Sequence, residues 1–183
     1  MHFRLCDYAL DLVQNAVEAG ADLVVLKLFE DRNSLLLGIE DNGCGMDEAT
    51  KAKALDPFYT DGVKHAARKV GLGLPFVKQA LDATGGTFLL DSKKDKGTVL
   101  HCRFDLSHVD TPPLGDVASL FTQCMLLPGF FELQVFRSRE TEGRNGRYEL
   151  SRRALQDILG DFCRSDSISM LRRFIRSQED DLK

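Results

Sequence analysis

The 183-residue chain lacks the features that mark membrane, secreted and zinc-binding proteins. Its apolar stretches, such as Leu23–Leu28, fall far short of the roughly 18 residues that a membrane-spanning helix needs. Its first residues show none of the charged, apolar and small-residue regions of a signal peptide. Its five cysteines are odd in number and widely spaced, without a C-x-x-C pair, which indicates neither a disulfide framework nor a zinc site. We therefore expect a protein of the reducing cytoplasm.

The chain also has little net charge and lacks two common nucleotide-binding motifs. It carries 24 Lys and Arg against 28 Asp and Glu, for a net charge of -4 and a pI near 5.6. Such a chain offers no positive field to hold a polyanion, so we expect no nucleic-acid partner. Neither G-x-x-x-x-G-K-[ST] nor a full G-x-G-x-x-G occurs, which excludes the P-loop and dinucleotide-binding folds.

The length fits one domain with a small appendage, and a turn-rich break at residues 107–115 marks where they meet. We predict a domain over residues 1–106, a linker over 107–115 and a small α/β module over 116–183 whose role the sequence does not give. Hydrophobic periodicity separates helices from strands. The predicted helices are Phe3–Gly20, Asp47–Ala54, Leu74–Thr84, Asp116–Leu127, Arg152–Leu159 and Ser167–Ser177, and the predicted strands are Leu23–Glu30, Ser34–Asn42, Thr87–Ser92, Thr98–Leu106, Phe130–Arg137 and Arg147–Leu150.

The first predicted helix has an apolar stripe and an opposite polar face. On the polar face, Asp11 and Asn15 are one helical turn apart and therefore adjacent in space. Taken alone, this face is typical of a helix surface in water.

The second predicted strand ends with an acid on its apolar side. Period-2 alternation places Asp41 on the same side as Leu35, Leu37 and Ile39. A carboxylate aimed at an apolar layer needs a partner, and a ligand amino group such as that of adenine is one. The alternative is that residues 41–46 form only a turn.

Two glycines precede the third predicted helix, in the sequence Val70-Gly71-Leu72-Gly73-Leu74-Pro75. Free backbone N–H groups at a helix N-terminus bind phosphate without a cationic side chain. The preceding residues 60–69 include lysines and an arginine that suit a cover over a polyphosphate, although an ordinary polar loop is the alternative.

Together these segments resemble a known family. Residues 11–16, 41–46, 57–60, 71–74 and 97–98 follow the order of the N, G1, F and G2 boxes and a later Gly-Thr pair in the histidine-kinase-like ATPase superfamily, over residues 3–106. The resemblance implies a two-layer α/β sandwich: a mixed sheet covered on one face by helices, with an ATP lid between the F and G2 boxes. It also implies ATP and Mg²⁺ as cofactors.

The resemblance also assigns roles to single residues. It implies that Asp41 reads adenine, that Thr98 supports the base through water, that Asn15 binds Mg²⁺ and that the glycines of the G2 box approach the phosphates. The full set of expected cofactor-binding residues is Asn15, Asp41, Gly43, Gly45, Met46, Thr60, Lys64, Lys69, Gly71, Leu72, Gly73, Leu74 and Thr98.

Asp11 is the expected catalytic residue. Its position is usually Glu in the hydrolysing members and Asn in sensor kinases, and an aspartate is able to accept a proton. The resemblance implies an Mg-ATP-binding regulatory protein that hydrolyses ATP or transfers its γ-phosphate to a partner protein, as histidine kinases and anti-sigma-factor kinases do. The alternative is a non-catalytic switch whose lid controls a protein partner. A gyrase-like dimer is disfavoured because the tail is short. We expect no membrane partner.

Overall fold

The computed structural model describes residues 4–56, 73–141 and 143–182. Within these ranges the chain forms six helices and six strands, close to the bounds predicted from periodicity. The helices are α1 (Leu5–Glu18), α2 (Glu48–Ala54), α3 (Gly73–Thr84), α4 (Val117–Met125), α5 (Arg152–Leu159) and α6 (Ser165–Asp181). The strands are β1 (Leu23–Glu30), β2 (Ser34–Asp41), β3 (Thr87–Lys93), β4 (Gly97–Asp105), β5 (Glu132–Thr141) and β6 (Arg144–Ser151).

The strands form one mixed sheet in the order β3-β4-β2-β1-β5-β6. Neighbouring strands are antiparallel except β1 and β5, which are parallel. At the end of β2, Asp41 is paired with Thr98 of β4 on one side and with Val24 of β1 on the other. The mixed sheet and its helices confirm the predicted fold class.

One face of the sheet forms the core because buried and exposed side chains alternate along the strands. The apolar stripe of α1, including Leu12 and Val13, packs on this face beside α3 and α4. On the other face, Phe29, Leu89 and Val99 are partly exposed. The buried face therefore positions α1 over β1 and over β2, which carries Asp41, and α3 over β4, which carries Thr98.

The segment after residue 116 extends the same sheet and core. Leu133 and Val135 of β5 are fully buried beside Val24 and Leu26 of β1. Helix α4 packs on α1, and α6 packs on α4. Residues on both sides of the predicted boundary at 107–115 belong to one sheet and one hydrophobic cluster. The division of the chain into two domains stays a prediction.

A buried ion-pair network fastens this later segment to β1. The Arg137 guanidinium is almost fully buried; its Nη2 lies 2.5 Å from Glu30 and its Nε lies 3.1 Å from Glu179. The Tyr148 hydroxyl also donates to Glu179, at 2.5 Å, and Arg137 Nη1 donates to the Ser138 carbonyl at 3.0 Å. The network thereby joins β5 to β1, β6 and α6.

We expect Arg137→Met to lower the free energy of unfolding by about 3–5 kcal/mol, because two largely buried carboxylates lose their nearest cationic partner. Urea denaturation measures this loss. Arg139→Met is the matched control: this arginine lies on the same strand and is 3.4 Å from Glu30, but its side chain is 32% exposed. We expect the control to lose less than about 1 kcal/mol. Equal losses in the two variants would contradict a dominant role for the buried network.

Candidate functional site

A cavity of about 340 Å³ opens between α1 and the ends of β2 and β4. Its volume lies in the range of small-molecule pockets, and its wall combines apolar side chains with a few polar groups. The polar groups include Asn15, Asp41 and Thr98. The full lining is Leu12, Asn15, Ala16, Ala19, Ile39, Asp41, Cys44, Gly45, Met46, Thr50, Ala54, Leu74, Thr98 and Leu100.

Asp41 supplies a carboxylate at the sheet side of this cavity. Its Oδ1 accepts a hydrogen bond from the backbone N–H of Gly43 at 2.9 Å, and the backbone N–H of Thr98 also donates to the carboxylate. Burial raises the pKa of Asp41, and these two hydrogen bonds partly oppose the rise. The side chain is therefore held as a hydrogen-bond acceptor that faces a largely apolar wall.

The loop after Asp41 is packed against the turn between β3 and β4. The backbone N–H of Asp95 donates to the carbonyl of Cys44 at 2.7 Å. Gly45 has φ +56°, and a Cβ there would lie 2.0 Å from the carbonyl oxygen of Lys93. Gly97 has φ +85°, and its Cβ would lie 1.9 Å from the carbonyl oxygen of Asp41. Both positions therefore require glycine for space as well as for conformation.

Asp11 and Asn15, one helical turn apart on α1, are half-buried, and Asn15 lines the cavity. The backbone N–H of Gly73, the first residue of α3, donates to the Asp11 carboxylate. Burial raises the pKa of Asp11, this N–H lowers it, and Glu18 raises it. A Cβ at position 73 would lie 2.1 Å from Asp11 Oδ2, so glycine lets the start of α3 meet this carboxylate.

The structure brings together the expected site residues that it describes. Six of them line the cavity; Gly43 is hydrogen-bonded to the lining residue Asp41, while Asp11 and Gly73 are bonded to each other and are neighbours of the lining residues Leu12 and Leu74. The six are Asn15, Asp41, Gly45, Met46, Leu74 and Thr98. The expected phosphate and lid residues Thr60, Lys64, Lys69, Gly71 and Leu72 lie outside the described residues.

Sequence reasoning missed several residues of the wall. Leu12 and Ala16 belong to the apolar stripe of α1, which predicts only a core position, yet they also line the cavity. Leu100 is two residues beyond Thr98 and therefore faces the same side of β4, a signal that period-2 alternation provides. Ser92 lies behind the wall rather than in it and has no such signal, because its contacts depend on how the loop after β2 meets β3.

Among the described residues, no group of three or more His, Cys, Asp or Glu side chains is arranged to hold a metal ion. None of the helices within these residues combines the length and the apolar character that a membrane crossing requires.

Comparison with known families decides the assignment. Residues 3–108 match the family described as histidine kinase-, DNA gyrase B- and HSP90-like ATPases, and this segment contains every expected site residue. The chain belongs to this ATPase family. The cavity between α1, β2 and β4 is accordingly the candidate nucleotide site of the ATPase fold.

Individual relatives match the same part of the chain. Sensor protein CiaH of Streptococcus pneumoniae is 36% identical over 97 residues, which is 50% of this chain and 22% of that protein. The cell-division control histidine kinase PdhS of Brucella canis is 31% identical over 114 residues, which is 55% of this chain and 11% of that protein. The chain thus spans less than a quarter of the length of these relatives.

A solved structure was also matched. The mycobacterial sensor histidine kinase MprB is 24% identical, with a TM-score of 0.38, over 52% of this chain and 65% of that one.

The raised pKa of Asp41 predicts a pH dependence of stability without nucleotide. Because folding raises this pKa, the native state binds more protons than the unfolded state between the two pKa values, so stability falls as pH rises. We expect the wild type to lose stability relative to Asp41→Asn as pH rises from about 4 through the raised pKa. Urea denaturation of both proteins between about pH 3 and pH 8 measures the difference.

Asp105→Asn is a control of opposite sign. Hydrogen bonds from Ser107 lower the pKa of Asp105, which is exposed at the end of β4. Here the wild type should lose stability relative to the variant as pH falls. If the difference in free energy of unfolding between the wild type and Asp41→Asn does not change with pH, folding does not desolvate the Asp41 carboxylate.

Proposed function

We propose that this chain binds Mg-ATP in the cavity and hydrolyses ATP or transfers its γ-phosphate to a partner protein as part of a regulatory circuit. The observation that carries the proposal is the arrangement of one cavity between two unlike ends. Asp41 lies at one end as a fixed acceptor, and Asn15 with Asp11 lies at the other, beside the start of α3.

The end at Asp41 is suited to a base that carries an amino group. Apolar side chains such as Ile39, Met46 and Leu100 supply flat contact surface, while the Asp41 carboxylate accepts a hydrogen bond. A buried acceptor is satisfied by an N–H donor and is left unpaired or repelled by a carbonyl oxygen. These residues therefore support adenine as the base.

The end at Asn15 is suited to phosphates and magnesium. The amide oxygen of Asn15 is a hard ligand that lines the cavity, and Asp11 is one helical turn away. Mg²⁺ retains several waters and needs few protein oxygens, so this small donor set fits it when ATP phosphates complete the coordination. Bound magnesium would neutralise the phosphate charge that develops during transfer. The N-terminus of α3 adds backbone N–H groups and the positive end of the helix dipole.

Asp11 is the proposed base. Its raised pKa makes the carboxylate a better proton acceptor than an exposed aspartate, and the hydrogen bond from Gly73 orients it. In hydrolysis it would accept a proton from the attacking water, and in phosphotransfer from the acceptor hydroxyl or imidazole of the partner protein. The names of the relatives, a sensor protein and a histidine kinase, support a regulatory role. We place the protein in the cytoplasm as part of this proposal.

Nucleotide binding predicts thermal stabilisation. At a 100-fold excess of Mg-ATP over Kd, linkage adds about 2.7 kcal/mol to the free energy of unfolding. For a chain of this length we expect the melting temperature to rise by roughly 5–11 °C, measured by calorimetry with and without Mg-ATP. Asp41→Asn is the matched control, because it keeps the side-chain shape and removes the charge that binds the base. An unchanged melting temperature for the wild type would contradict binding in this cavity.

Catalysis predicts different effects at the two residues of α1. Asp11→Asn should retain Mg-ATP binding and lower the turnover of ATP by about 100-fold or more, because the base is removed. Asn15→Ala should lose Mg-ATP binding itself, because a magnesium ligand is removed. Titration calorimetry measures binding, and release or transfer of labelled γ-phosphate measures turnover.

If Asp11→Asn leaves the measured turnover unchanged while Asn15→Ala abolishes binding, the assignment of Asp11 as a base is lost. That result favours the alternative function, a non-catalytic switch in which bound ATP alters the surface offered to a protein partner.

A further inference from the structure

Ser92 forms an unusual junction behind the cavity. It lies near the end of β3, is 3% exposed, and is paired with Thr98 of β4. Its Oγ lies 2.9 Å from the backbone N of Met46, 3.2 Å from the carbonyl oxygen of Gly97 and 3.0 Å from the Thr98 Oγ1. Ser92 itself does not line the cavity, whereas both Met46 and Thr98 do.

The single hydroxyl proton of Ser92 decides the direction of these bonds. The N–H of Met46 donates to Ser92, so this bond uses one lone pair. The Gly97 carbonyl only accepts, so the Ser92 proton must point at it. Thr98 must then donate its own proton to the second lone pair of Ser92. This arrangement is the one that satisfies all three contacts at once.

The consequence for the cavity is that Thr98 has no proton to offer there. Its hydroxyl oxygen presents lone pairs to the cavity, as does the carboxylate of Asp41 at the paired position of β2. The wall is therefore made of acceptors at both positions. An amino group, or a water that donates towards Thr98, completes it, whereas a carbonyl oxygen finds no donor from these two side chains.

We propose that Ser92 is a positioning residue that fixes the Thr98 hydroxyl as an acceptor and thereby favours 6-aminopurine over 6-oxopurine nucleotides. The proposal rests on nucleotide binding in this cavity, as argued under the proposed function. Without the Ser92 oxygen, the Thr98 hydroxyl is free to rotate and donate to a 6-oxo group. The backbone N–H of Met46 also loses its acceptor, which weakens the loop for every nucleotide alike.

The test compares Mg-ATP with Mg-inosine triphosphate, a nucleotide with oxygen in place of the 6-amino group. Titration calorimetry gives Kd for both with the full chain. We expect the wild type to favour ATP, and Ser92→Ala to lower the ratio of ATP to inosine triphosphate affinity by roughly 3- to 10-fold, the size of one net hydrogen bond. Because a general loosening of the loop weakens both nucleotides, the ratio separates positioning from structural damage.

Two further variants sharpen the result. Ser167→Ala is the matched control, because Ser167 is also a buried serine that donates to a backbone carbonyl, that of Leu159, but lies on α6. It should leave the ratio unchanged. Thr98→Val removes the hydroxyl that Ser92 orients, so in this background Ser92→Ala should no longer alter the ratio.

If Ser92→Ala changes the affinities for both nucleotides by the same factor, so that their ratio is unchanged, the proposal is overturned. The proposed binding of ATP is not affected by that result. If Ser92→Ala does not fold, Thr98→Val alone decides the matter: a greater loss of affinity for ATP than for inosine triphosphate supports the proposal, and equal losses overturn it. A wild type that binds neither nucleotide refutes the proposed function, and this inference with it.

Discussion

The fold depends on accommodating one desolvated carboxylate, that of Asp41, where β2 meets β4. Placing a charge in such a position is costly unless hydrogen bonds offset the loss of water. Here the backbone N–H groups of Gly43 and Thr98 do so. This arrangement requires the chain to turn at once after β2, and the turn fits against the β3–β4 connection only with glycine at positions 45 and 97. The motif around Asp41 is thus a packing requirement, whatever the outcome of the binding role that we propose for it.

The same principle applies at the opposite end of the cavity. Burial also raises the pKa of Asp11, and its carboxylate accepts a hydrogen bond from a backbone N–H, that of Gly73. Two carboxylates with raised pKa, Asp41 in the cavity wall and Asp11 one helical turn from the wall residue Asn15, are difficult to explain as stabilising features, because burial disfavours the charged form of each. Perturbed carboxylates in or beside a cavity are instead typical of functional sites. The two differ in what surrounds them, an apolar wall at Asp41 and the start of a helix at Asp11.

Local patterns were sufficient to predict the helices and strands, whereas the mixed sheet and the meeting of α1 with the end of β2 were implied by the family resemblance. Asp41 could be selected because it departs from an otherwise regular hydrophobic period, whereas Asp11 and Asn15 lie on an ordinary polar helix face and were selected through the family resemblance. The Ser92 junction could not be predicted, since it joins residues 46, 92 and 98 through a loop whose path no period encodes. The parallel pairing of β1 with β5 was missed for the same reason: the two strands are about a hundred residues apart in sequence. The roles given to Lys64, Lys69 and the other lid residues stay predictions.

The parallel pairing of β1 with β5 ties the matched family segment to the later part of the chain. The segment ends at residue 108, yet β1 uses both of its edges, one for β2 and the other for β5. Val24 is the common point, since it is paired with Asp41 in β2 and with Leu133 in β5 and is fully buried. Without β5, an apolar strand next to the site would present a free edge and an open core, which favours aggregation over a fixed cavity. The later segment, fastened by Arg137, therefore helps to keep the candidate site in shape.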